Sequence, residues 1–279
     1  MLKIVLKIVV TSAMVLALSW LSERVSPKAA GVFAGFPLGI AVSLFFIGVE
    51  QGPQFAATAS VSTLGGLGAS LVFCFAYWQF SDRIKTWDVV LSSILSMAVF
   101  VAAAAVLAQL PQGRWLLTAI TLVLTGLAIL AFRGIRNVGA GESKTVTVTP
   151  LILLARAGVA SAIVLIITSL ASVIGEEWSG LLSGFPITLY PVLLIVHVTY
   201  SKREVHGIIK NFPFGIGSLI IFAFAASYLF VPWGVYWGAL AAVALAMAYL
   251  VAVTVVMWRI KPAAGKPVAA AADPHERSS

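Results

Sequence analysis

The chain has 279 residues, 61% of them hydrophobic and 10% charged, with a mean hydropathy of +1.04. A soluble globule is usually about 45 to 50% apolar, so most of this chain belongs in a bilayer. Its single cysteine, Cys74, lies in an apolar run, which excludes a disulfide framework, a CxxC redox pair and a cysteine-based metal cluster.

A helix crossing about 30 Å of hydrocarbon needs roughly 20 apolar residues. In chain order such runs predict nine helices, at approximately 3–23, 28–50, 54–80, 87–109, 115–132, 150–174, 180–200, 207–231 and 235–258. The first run could pass for a secretory signal, but no small-residue cleavage site follows it. From Lys7 onward it also recurs, at Arg156 to Ile174, so it reads as a retained helix. The connection Asn137 to Thr149 is polar and Gly-containing, a cytoplasmic linker. The tail from Lys261 to Ser279 alternates Ala, Pro and charges without an apolar period, and is expected to be disordered.

Residues 7–37 return 149 positions later, without a gap, as residues 156–186. Gly35-Phe36-Pro37 recurs as Gly184-Phe185-Pro186, Gly66 and Gly68 fall on Gly215 and Gly217, and Phe73 falls on Phe222. An internal repeat decides architecture before any other signal. The offset maps helices one to four onto six to nine and leaves the fifth without a partner. Four helices return a chain to its starting side, so the fifth inverts the second copy. The expected fold is an all-α polytopic membrane protein with nine transmembrane helices, two inverted-topology four-helix repeats joined by a linking helix. Its parts are residues 1–112 (first repeat), 113–149 (inverting helix and linker), 150–260 (second repeat) and 261–279 (tail).

Basic residues give the orientation, because Lys and Arg concentrate in cytoplasmic loops. One set of connections holds Arg24, Lys28, Arg83, Lys85, Arg133, Arg136, Lys144, Lys202, Arg203, Lys210, Arg259 and Lys261, and the tail adds Lys266 and Arg277. The other set holds only Lys3, Lys7 and Arg114. This predicts an external N-terminus, a cytoplasmic C-terminus, and external turns at 50–54, 110–114, 175–179 and 232–234. The net charge of +8 is thus mostly a topology signal and not a nucleic-acid footprint.

Both Gly-Phe-Pro segments fall about one third of the way into the second helix of a repeat, where proline removes a donor and glycine weakens the helix. Two symmetry-related breaks are expected. The second half of each helix would start at Pro37 or Pro186 and point a positive dipole end into the bilayer, an arrangement suited to anions; a packing kink is the alternative. Lys7 and Arg156 share one repeat position a turn or so inside a span. A charge there contacts an anionic substrate or snorkels to the interface. Glu50 and His197, near the ends of the two second helices, are candidates for proton coupling, with interfacial solvation as the alternative. Gln54, Thr58, Ser60, Ser62 and Thr63, and in copy two His206, Lys210 and Asn211, are candidates for lining a cavity beside glycines that allow close helix packing. Trp87, Trp115, Trp233 and Trp237, among other tryptophans near predicted helix ends, fit an aromatic belt. No HExxH, P-loop, dinucleotide turn or nucleophile elbow occurs, so no catalytic residue, metal site or cofactor is expected.

The segment Gly180 to Asn211, with Phe185-Pro186, His197 and the charged turn after it, resembles the GlpM-like family of small four-helix inner-membrane proteins. Copy one resembles the same unit through Phe36-Pro37 and Glu50-Gln51-Gly52, with Gly48 in place of the histidine. The resemblance implies a bacterial inner-membrane location and a link to envelope polysaccharide production. Taken together, these features lead to the expectation of a secondary transporter or flippase for an anionic small molecule or lipid-linked phosphate. The alternative is a non-transporting scaffold or accessory subunit that partners envelope polysaccharide or lipid biosynthesis proteins. Membrane lipid is an expected partner in either case.

Overall fold

The computed structural model describes residues 2–22, 35–135 and 149–259. Among these residues there are eight helices and no strand: α1 (Leu2–Ser22), α2 (Leu38–Gln51), α3 (Pro53–Arg83), α4 (Asp88–Ala108), α5 (Arg114–Phe132), α6 (Pro150–Ser183), α7 (Leu189–Thr199) and α8 (Lys202–Arg259). Five of them, α3, α4, α5, α6 and α8, are long and apolar enough to cross a membrane. The chain is an all-α membrane protein. The start of the expected second helix (28–34), nearly all of the linker and the whole tail lie outside the described residues.

Two of the long helices are each a pair of rods joined at one glycine. Gly175 in α6 has φ 80° and ψ 174°, and Gly234 in α8 has φ 70° and ψ 170°. Gly52, between α2 and α3, has φ 99° and ψ 162°. This region is essentially open only to glycine. At all three the chain folds back, because residues four before and four after the corner touch. A Cβ at Gly48 would lie 3.1 Å from Ala56 Cβ. The Ser179 hydroxyl donates to the Ala171 carbonyl at 3.4 Å, and a Cβ at Gly238 would lie 2.9 Å from the Phe230 ring. In a straight helix such residues would stand about 12 Å apart. The external turns expected at 175–179 and 232–234 therefore shrink to single-residue corners, and Glu176 and Glu177 belong to a helix. The expected start of the eighth span at 207 also moves, to Lys202.

α3 forms the centre. Within its most apolar window 89% of residues are buried, against 22% for α5 and 28% for α4, whose outer faces carry Leu122, Val123, Leu127 and Ile94. The small residues of α3 let its neighbours approach closely, and it packs against α4, α5, α6 and α8. α1 packs mainly on the first rod of α6. There the Ser12 and Ser161 hydroxyls meet at 3.3 Å, and these two serines are 149 positions apart. Lys7 reaches Thr168, so five residues back on α1 correspond to seven forward on α6. The two rods run antiparallel.

Contacts sort the connections between helices to two ends of the molecule. At the corner end, Lys7 bonds Glu50, the Phe45 and Tyr236 rings meet edge-on at 5.4 Å, and Gln54 shares a cavity with Arg114 and Val231. At the other end, Asp88 approaches His197, Ser81 bonds His206, and Lys210 Nζ donates to the Ile135 carbonyl at 2.7 Å.

A Cβ at Gly175 or Gly234 would meet no atom within 4 Å, so alanine there is opposed by backbone conformation and not by crowding. Gly175→Ala and Gly234→Ala should each lower stability by about 1 to 3 kcal/mol, read from thermal unfolding in detergent micelles. Gly158→Ala, in a helix with open space around it, should be neutral or slightly stabilising.

Candidate functional site: the crossing of the broken helices

Both Gly-Phe-Pro segments are non-helical among the described residues, with α2 starting directly after Pro37 and α7 at Leu189 after Pro186, and the same backbone bond follows each proline. The Pro37 carbonyl accepts from Ala41 N at 2.8 Å, and the Pro186 carbonyl accepts from Tyr190 N at 2.8 Å; Ala41 and Tyr190 are themselves 149 apart. Neither α2 nor α7 has a side-chain N-cap. Glycines set how tightly the breaks pack. A Cβ on Gly35 would fall inside the backbone of Gly215, and one on Gly184 inside the backbone of Gly66. The pairing is reciprocal, since 35 and 184 are repeat mates, as are 66 and 215.

Hydroxyls satisfy carbonyls at and before the breaks. Ser218 donates to the Gly35 carbonyl, Ser70 to the Gly184 carbonyl at 2.5 Å, and Thr63 to the Gly180 carbonyl at 3.0 Å. Gly39 lies against Ile187 and Thr188, and Thr188 is its repeat mate. Phe185 fills copy two's side of the crossing, its ring edge-on to Phe73, Phe100 and Tyr190 at 5.4, 5.1 and 5.5 Å. Phe36, Gly39, Gly184, Phe185, Pro186 and Thr188 are among the residues that enclose a cavity of about 10 Å³. That is room for about one water.

The charged candidates stand apart from this cavity, since Lys7, Arg156, Glu50 and His197 do not line it. Lys7 does not snorkel outward: it is 3% exposed, donates to Glu50 Oε2 at 2.9 Å and to Thr168 Oγ1 at 2.8 Å, and lies 5.9 Å from the Phe46 ring centroid. Glu50 is accordingly the counter-ion of Lys7 rather than an independent carboxylate. Arg156 is also buried. His197 is buried at the opposite end, with Nδ1 3.0 Å from the Tyr77 hydroxyl and Nε2 3.4 Å from Asp88 Oδ2. If Tyr77 donates, the ring proton sits on Nε2 and faces the carboxylate. Ser92 and Ser96 bury hydroxyls on α4 that have no hydrogen-bond partner among the described residues.

Of the polar residues on α3, Ser60 and Thr63 bond carbonyls one turn back and Ser62 bonds Gln112 Oε1 at 3.0 Å. Gln54 and Thr58 line an open cavity. Tyr77 and Asp88 carry no signal in the repeat, because their mates are Ala226 and Trp237, whereas Thr168 has a hydroxyl mate in Ser19. The chain matches no protein-family model, no curated protein and no solved structure.

Removing one member of a buried ion pair strands the other charge, at a cost of about 3 to 5 kcal/mol. Glu50→Gln and Lys7→Met should each lose stability on that scale in micelles, while the Lys7→Met/Glu50→Leu double variant recovers most of it. A double variant as unstable as the sum of the singles would show that the two groups are not coupled.

Proposed function

We infer that the protein is a secondary transporter or flippase of the bacterial inner membrane, built from two inverted four-helix copies and crossing the membrane nine times. The N-terminus is external and the C-terminus cytoplasmic, so the glycine corners lie outside. The observation that carries this reading is the meeting of the two Gly-Phe-Pro regions at Gly39 and Thr188, one repeat position seen from both copies. Contacts between equivalent positions, here and at Ser12 and Ser161, are what a pseudo-twofold axis relating the copies requires. With α1 and the first rod of α6 antiparallel, that axis lies across the helices, as in transporters made of inverted repeats.

The flanking clusters support alternating access. Lys7–Glu50 ties α1 to the end of α2 at the corner end, and Asp88–His197 ties α4 to the end of α7 at the other. Opening one while the other stays closed would expose the crossing to one side at a time. Buried basic residues, Lys7 and Arg156, together with uncapped helix N-termini, favour an anionic substrate, either a small organic anion or a lipid-linked phosphate. The likeness to the GlpM-like unit is part of this proposal and rests on the sequence segment alone.

A second reading, a non-transporting accessory subunit of an envelope polysaccharide or lipid pathway, is favoured by the small cavity at the crossing. On the transport reading the same cavity belongs to an occluded conformation. Purified protein in proteoliposomes, assayed for uptake of a panel of small organic anions and for scrambling of fluorescent phosphatidylglycerol, separates the two. Transport predicts activity toward at least one of these, reduced about tenfold or more in Arg156→Ala by loss of a charged hydrogen-bonding group. Folded wild-type protein inactive on every member would favour the accessory-subunit reading.

A further inference from the structure

A second cavity, away from the crossing, opens at the corner end where the first turns of α3 and α5 face α8. It measures about 250 Å³, far more than the 10 to 15 Å³ that holds one water. Gln54, Thr58, Gln112, Arg114, Ser227 and Val231 are among its walls, and no carboxylate is. Gln112 is fixed as structure: its amide donates to the Leu107 and Leu110 carbonyls at 3.2 and 2.9 Å and its oxygen accepts from Ser62.

Arg114 is different. Its guanidinium stacks 3.9 Å from the Tyr228 ring centroid, and among the described residues no carboxylate pairs with it. Stacking on an aromatic face orients the group and leaves its in-plane N–H donors available. Tyr228 thus holds a fixed cation at a polar opening that supplies no counter-ion. The first turns of α3 and α5 add to the positive potential, since neither helix has a side-chain N-cap. Beside the opening, Trp115, Trp233 and Val231 are 69%, 56% and 51% exposed, a surface suited to the headgroup level of a bilayer.

We propose that this cavity binds a phosphate group, with the Arg114 guanidinium as the principal donor and the Gln54 carboxamide as a second. A phospholipid headgroup and a free phosphate share that chemistry. The site requires no transport and stands whether or not the crossing moves a substrate.

The test uses full-length protein in non-ionic detergent. Native mass spectrometry measures retention of phosphatidylglycerol against phosphatidylcholine, and tryptophan fluorescence follows a titration with inorganic phosphate. Wild type should retain phosphatidylglycerol selectively, and Arg114→Gln should bind it about tenfold more weakly. Arg133→Gln, exposed at the other end, should bind as wild type. Gln54→Leu gives a second variant should Arg114→Gln prove unstable, and should weaken binding by a smaller factor. Competition by inorganic phosphate would make the free anion a ligand of the same site; lipid retention that phosphate does not displace would assign the site to a headgroup. Selective retention unchanged in both Arg114→Gln and Gln54→Leu, or no binding of either probe to wild type, would overturn the proposal.

Discussion

A helix that breaks inside a membrane leaves backbone groups that lipid cannot satisfy, so protein must satisfy them. Glycines solve half of this problem here. Gly66 and Gly215 let α3 and α8 press their backbones directly onto Gly184 and Gly35, which keeps the broken segments out of lipid. Hydroxyls solve the other half. Ser70 and Ser218 bond the carbonyls of the glycines in the two Gly-Phe-Pro segments. Much else follows from this arrangement. α3 must be central and small-featured, Phe185 must plug the space that the break opens, and the crossing must be nearly closed in the conformation seen.

The backbone solution is nearly symmetric, but the chemistry around it is not. Copy one ends its second helix with a carboxylate held by a buried lysine. Copy two ends its own with an imidazole between a phenol and a carboxylate. The mates of Glu50 and His197 are Thr199 and Gly48, so neither cluster could be built twice. The repeat thus supplies equivalent backbone positions, while each end carries its own polar cluster.

The all-helical membrane character was legible in the sequence, because apolar run length reports a constraint that the bilayer imposes on the backbone. Gly184-Phe185-Pro186 signalled the break between α6 and α7 through the chemistry of proline and glycine themselves. The corners were legible only as turns of three to five residues. A single glycine at φ near +80° reverses the chain in one step, and neither hydropathy nor loop composition distinguishes that from a longer turn. The polar clusters were least legible. Lys7 and Glu50 were each recognised but not as partners, since 43 residues separate them and repeat comparison sets Lys7 beside Arg156. Tyr77 and Asp88 join His197 only through packing of α3, α4 and α7, which no local pattern encodes.

Inversion is the central claim, and two equivalent positions test it most directly. Gln54 and Arg203 are 149 apart, and both are exposed. With the buried Cys74 replaced by serine, Gln54→Cys and Arg203→Cys can be labelled in sealed, right-side-out vesicles with a membrane-impermeant maleimide. The account predicts that Gln54→Cys reacts at once and Arg203→Cys only after the vesicles are permeabilised. Labelling of both from the same side would contradict it.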